Sequence, residues 1–225
     1  MKGFDVVKRT IRSVAFDANG VIYYRNAEVS ASVVDFIQAK GIELPTDAES
    51  MYVELMNEAF NGTMSREEMV EAITSRWGIT DPAKRRLVAS SIAAYSREIH
   101  LYPGVPETLK RLRELGIGTG VITNTFQSSQ EKWAWFEQHN IAPYLDRMIS
   151  SIEVGVAKPE PAIYTLYAEK CGLRPEEIAF VGHDLNELRG AQEAGMKGLA
   201  FRPDQPGTFE PEFYDFPDLV TLIQT

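Results

Sequence analysis

The stretch "VAFDANGVIYY" spans residues 14–24. Its apolar start, Val14 to Phe16, runs into one carboxylate, Asp17, followed by an amide at Asn19 and a glycine at Gly20. An acid at the end of a buried strand, beside a glycine turn, is how many α/β enzymes present a nucleophile or a metal ligand. The chemistry of this strand end therefore turns on why position 19 is an amide and not a second acid.

Downstream, four further short apolar runs predict strands: "GTGVIT" (118–123), "RMIS" (147–150), "IAFVG" (178–182) and "KGLAF" (197–201). Helical patterns separate them, and strands alternating with helices imply a parallel sheet flanked by helices, a Rossmann-like α/β core. Val105, Leu109, Leu112 and Leu115 form one apolar stripe, with Gly116 placed as a C-cap. Residues 25–100 read differently, as four successive helices over 30–40, 47–60, 65–77 and 82–98 with no convincing strand between them. Ser65 followed by Glu67 and Glu68 supplies the cap of the third. The expected organisation is a core of residues 1–24 and 101–225 with an all-helical insertion over 25–100.

With 225 residues, 44% hydrophobic and 24% charged, the chain can bury a sizeable core. No apolar run approaches the roughly 18 residues of a membrane span. No secretory signal is visible, and the lone Cys171 has no internal disulfide partner, so the expected compartment is the cytoplasm. A net charge of -9 argues against nucleic acid as the partner, while leaving room for a small anion in a locally cationic pocket.

Asp17, Thr123, the Lys158 loop and the pair His183 and Asp184 all fall at or just after strand ends. In a parallel sheet such positions converge outside the carboxyl edge, so the pattern predicts one site. Each residue alone is an ordinary loop or cap residue, and their order carries the reading. That order resembles the haloacid dehalogenase superfamily, most of whose members are phosphatases. "VAFDANGVI" is similar to its first motif, "GVITNT" to the second, "EVGVAKPEPAIY" to the third and "FVGHDLNELRGAQEAGM" to the fourth. "YPGVPETLKRLRELG" is similar to the helix that precedes the second motif in members with a helical cap.

The resemblance implies that Asp17 attacks a phosphoryl group, that Thr123 and Asn124 bind it, and that Lys158 neutralises the charge it shares with Asp17. It implies Mg²⁺ held by Asp17, the backbone carbonyl of Asn19 and an acid of the fourth motif, Asp184 or Glu187. It also implies a cap that closes over the site, with Tyr24, Arg25, Asn57 and Asn61 as candidate substrate contacts. Two residues depart from the pattern. Asn19 replaces the acid that protonates the leaving group and later activates water, which predicts impaired turnover. His183 stands where the metal-binding acid is expected, and imidazole suits a transition metal better than Mg²⁺; the alternative is that His183 hydrogen-bonds within the loop while Asp184 caps the following helix.

The expected function is hydrolysis of a small phosphorylated metabolite by a monomer or homodimer, without nucleic-acid or membrane partners. The alternatives are a catalytically degenerate binding or regulatory protein and a haloacid dehalogenase. Trp133, Trp135 and Phe136 read as helix packing, and His100 and His139 as surface or loop residues.

Overall fold

The computed structural model describes residues 11–25 and 32–224. The expected start of the first helix at Ser30 lies outside them. Six strands form one parallel sheet: β1 (Ser13–Phe16), β4 (Gly118–Thr123), β5 (Arg147–Ser150), β6 (Ile178–Gly182), β7 (Lys197–Phe201) and β8 (Glu212–Phe213), in the order β5-β4-β1-β6-β7-β8. The first five match the strands read from sequence. The two-residue β8 is too short for any hydrophobic period to announce it.

Because alternate strand residues face opposite ways, the sheet feeds two cores. Val14, Phe16, Val121, Val181 and Leu199 face one, covered by α5 (Val105–Glu114), α6 (Ser129–Gln138) and α10 (Leu219–Leu222). Ala15, Ile122, Phe180 and Ala200 face the other, covered by α8 (Pro161–Cys171) and α9 (Leu185–Glu193). The stripe expected on α5 holds for Val105, Leu109 and Leu112, which are fully buried, whereas Leu115 is partly exposed at the C-cap.

Four helices, α1 (Val33–Gln38), α2 (Ala48–Phe60), α3 (Arg66–Arg76) and α4 (Pro82–Arg97), follow β1 and its turn. They share a third apolar cluster, built around Ile37, Leu55, Met69, Ile73 and Ile92, that reaches the sheet side through Phe126. Ser65 caps α3 in a reciprocal box with Glu68. A short antiparallel ribbon joins this layer to the sheet, β2 (Tyr23–Tyr24) pairing with β3 (His100–Leu101). Two-residue strands of this kind are fixed by tertiary pairing and not by local pattern, which is why the sequence reading has none over this region. The small helix α7 (Ser151–Val154) follows β5 directly. Among the described residues, no helix is long and apolar enough to cross a membrane.

Candidate active site

Strand β1 lies in the middle of the sheet, between β4 and β6, where the direction of strand addition reverses. Crevices form at such switch points, outside the carboxyl ends of the strands. Asp17 follows β1, Thr123 ends β4 and His183 follows β6. Together with Asn19, Asn124, Lys158 and Glu187, they line one cavity of about 490 Å³.

The buried Asp17 carboxylate is held from several sides. Its Oδ1 accepts from Lys158 Nζ at 2.6 Å and from the Ala18 backbone N–H at 2.7 Å. Its Oδ2 lies 3.4 Å from His183 Nε2. Burial works against the anion, yet Lys158 and His183 outweigh it and bring the pKa down to about 2. Asp17 is therefore an anion across the physiological range.

Lys158 is almost fully buried and bridges two carboxylates, Asp17 and, at 2.7 Å, Glu187 Oε2. Burial opposes its charge, but both acids raise its pKa above the ordinary value. Its loop is anchored by Asn124, whose side chain accepts from the Lys158 N–H at 2.8 Å and donates to the Lys158 carbonyl at 2.9 Å. On the other side α9 comes so close that a Cβ at Gly190 would lie 2.0 Å from the Pro159 carbonyl oxygen. Glycine at this point lets α9 place Glu187 beside Lys158. Burial, with the Asp17 charge, lifts Glu187 to about 7 against the pull of Lys158.

His183 joins Asp17 to Asp204, its Nδ1 lying 3.0 Å from Asp204 Oδ1. Burial disfavours the imidazolium, but Asp17 and then Asp204 outweigh that and raise its pKa to about 9. Gly20, with φ of +82°, makes room for the ring, since a Cβ there would lie 2.5 Å from it. Asn19 receives a hydrogen bond from Arg25 Nη1 at 3.1 Å.

Asp184 stands apart from the sequence-predicted set. It is the N-cap of α9, its Oδ1 accepting from the Glu187 N–H at 2.9 Å, and it is not on the cavity wall. The donors needed for Mg²⁺ therefore do not gather as the resemblance implies. Glu187 is held by Lys158, and the second oxygen of Asp17 faces an imidazolium whose other nitrogen is taken by Asp204. A hard cation needs about six oxygen ligands, and a positive group already sits on the oxygen that would be shared. Among the described residues, no three His, Cys, Asp or Glu side chains are arranged to hold a metal ion. The side chains as placed do not fit Mg²⁺, nor do they leave His183 free for a transition metal.

Of the four cap candidates, Arg25 and Asn57 line the cavity, Tyr24 lines a neighbouring one and Asn61 is the C-cap of α2. Sequence reasoning missed Asp204, which follows β7, and Lys132 on α6. Lys132 had a signal: it lies three residues before Trp135, on the face that packs inward. Trp135 and Phe136 are buried as expected, and Trp133 packs edge-on against Phe136. His100 is exposed on β3 and His139 is the half-buried C-cap of α6.

A parallel α/β sheet with a buried carboxylate and lysine paired at its central switch point marks the class of open-sheet α/β proteins whose ligand site lies at the carboxyl ends of the strands. Residues 11–195 match the model of the haloacid dehalogenase-like hydrolases, and the chain belongs to that family. It is 29% identical over 209 residues to a glyceraldehyde 3-phosphate phosphatase of Methanopyrus kandleri, covering 89% of this chain and 88% of that protein. It is 28% identical over 196 residues to a phosphoglycolate phosphatase of Pectobacterium atrosepticum, covering 84% of this chain and 79% of the other. The fold matches that of a magnesium-bound HAD-hydrolase of Bacillus subtilis, with a TM-score of 0.73 at 18% identity over 96% of this chain and 100% of that one.

Proposed function

We propose that the protein acts on small phosphorylated metabolites as a phosphatase with an aspartyl-phosphate intermediate, and that the second half of its cycle is slow. The observation that carries this reading is the 2.6 Å contact between Asp17 and Lys158 inside the cavity at the end of the central strand. In the first step an Asp17 oxygen bonds to phosphorus as the bond from phosphorus to the leaving oxygen breaks. The leaving oxygen departs as an anion or takes a proton from water. Lys158 and the His183 imidazolium stand beside the reacting carboxylate and offset the charge of the arriving phosphate. Thr123 and Asn124 present the second-motif loop to the phosphoryl oxygens. In the second step water attacks phosphorus as the bond from phosphorus to the Asp17 oxygen breaks, its proton passing to solvent, so that phosphate is released and the carboxylate restored. Asn19 cannot take the proton of that water, which costs about 10² to 10⁴ in rate.

The helical layer over residues 32–98 acts in this proposal as the cap, closing the cavity and excluding water. The cationic side chains already on Asp17 perform the charge neutralisation without Mg²⁺. The phosphatases among the relatives support the substrate class.

The test is stopped-flow release of nitrophenol from p-nitrophenyl phosphate by micromolar protein, in EDTA and in Mg²⁺, with Asp17→Asn as the blank. A burst near one equivalent followed by a slow phase, equal in both buffers, is the expected result. No release above the blank from folded protein would sink the hydrolytic reading.

A second reading, phosphate binding without turnover, draws on the Arg25 hydrogen bond to Asn19, which ties up the side chain at the proton-transfer position. Binding of inorganic phosphate without any burst would favour it. Dehalogenation, in which Asp17 would attack carbon, is separated by halide release from 2-chloropropionate. EDTA does not separate it when the phosphatase itself needs no metal.

A further inference from the structure

Two cations on the cavity wall, Lys132 and Arg25, have no carboxylate partner among the described residues. Lys132 is 2% exposed and lies on the cavity wall. Its ammonium donates to the Tyr23 hydroxyl at 3.0 Å and sits over the rings of Tyr23 and Trp135 at 5.5 and 5.4 Å. Among the described residues no acid forms an ion pair with it. Lys158, buried to the same degree, has two. A buried ammonium without a counter-charge is costly, and that cost is relieved by an anion entering from the cavity.

Arg25 lies across the same tyrosine, its guanidinium 5.8 Å from the Tyr23 ring centroid. Among the described residues it donates only to neutral acceptors, the Asn19 side chain and the Ser96 carbonyl, and its Nε is buried with no partner there. Glu49, the helical layer's carboxylate on this wall, pairs with neither cation. Asp17 and Glu187 are already engaged by Lys158.

We propose that Lys132 and Arg25 form a second anion subsite beside the Asp17 centre. The substrate would then be a small phosphate monoester bearing another anionic group, a carboxylate or a second phosphate. The inference rests on the proposed phosphatase reading and deepens it. A cavity of about 490 Å³ holds a metabolite of this size with both ends engaged. Arg25 offers a fork and Lys132 a point charge, a pairing that orients an oxyanion between them.

Calorimetric binding to the intact chain tests it with three probes. Ethyl phosphate has one anionic end, phosphoglycolate adds a carboxylate, and 1,2-ethanediol bisphosphate adds a phosphate. The expected result is that one of the two-ended probes binds at least about tenfold tighter than ethyl phosphate, the step that an added charge-assisted contact supplies. Which of the two gains identifies the group. In Lys132→Met the ratio falls toward one, in Lys132→Arg a preference remains, and Arg25→Gln reduces it independently should Lys132→Met not fold. Ethyl phosphate binding with no preference for either two-ended probe would overturn the subsite alone. Failure of all three probes to bind would overturn the subsite and the phosphate pocket together.

Discussion

The guanidinium of Arg25 holds the side chain of Asn19, Nη1 donating to Oδ1 at 3.1 Å. The amide at position 19 is thus the acceptor of a cation that also makes a longer contact to the Ser96 carbonyl. An aspartate at 19 would meet the same guanidinium, which would favour its ionised form. Asn19→Asp should therefore restore the base more fully than the acid. The expected outcome is a steady-state rate on p-nitrophenyl phosphate raised by about 10² or more, with the burst lost, and a smaller gain on an alkyl phosphate, whose leaving group needs a proton. Equal rates for Asn19→Asp and the native chain would show that proton transfer at this position is not limiting.

His183 lies between Asp17 and Asp204, and replacing it by the acid that the family pattern expects should change metal binding. Titration of the native chain with MgCl₂ is expected to give no binding heat and no change in melting temperature. His183→Asp removes the imidazolium and adds an oxygen donor, so its melting temperature should rise with added Mg²⁺, as it does for any ligand that binds only the folded state. A clear Mg²⁺ shift in the native chain would overturn the argument from the donor set.

Stability should decline on the alkaline side. The folded pKa of His183, about 9, lies above its unfolded value of about 6.5, so its contribution is complete below pH 6.5 and is lost as pH rises through 9. The size is at most about 3 kcal/mol, less some solvent screening. Glu187, raised to about 7, acts in the same direction, its contribution being lost between its ordinary range near 4.5 and pH 7. Asp17, lowered to about 2, loses its contribution only as pH falls below 4. Urea melts from pH 3 to 10 should place maximal stability near pH 4 to 5. His183→Asn should flatten the loss between pH 6.5 and 9, and an unchanged slope in that variant would refute the assignment.

Gly190 permits the contact between α9 and the Lys158 loop. Gly190→Ala puts a methyl group about 2 Å from the Pro159 carbonyl, closer than any real contact, and overpacking of this kind costs about 1 to 3 kcal/mol. Both helix and loop must shift, so the Asp17 to Lys158 geometry should suffer as well. The variant is expected to melt lower and to lose most of its burst amplitude. A full burst at lowered stability would mean that the lysine tolerates the displacement.

The five longer strands and four helices of the insertion were legible because each carries its own signal. Runs such as "GTGVIT" and "IAFVG" are apolar enough to mark buried strands, and Ser65 with Glu68 marks a helix start whatever surrounds it. The ribbon of β2 and β3 and the edge strand β8 were not legible, since two residues hold no period and pairing alone defines them.

The candidate site divides along the same line. By itself the sequence determined which residues stand at strand ends, that position 19 lacks an acid, and that a histidine occupies position 183, because chain order and side-chain chemistry are local properties. Only the tertiary structure decided which groups share the Asp17 carboxylate. Glu187 reaches Lys158 across 29 residues and Lys158 reaches Asp17 across 141. His183 spans Asp17 and Asp204, and Lys132 enters the cavity beneath Tyr23, 109 residues away. Such pairings depend on where helices pack against the sheet, and it is the carboxylates brought beside them, against the cost of burial, that hold a lysine or a histidine on that edge as a fixed charge.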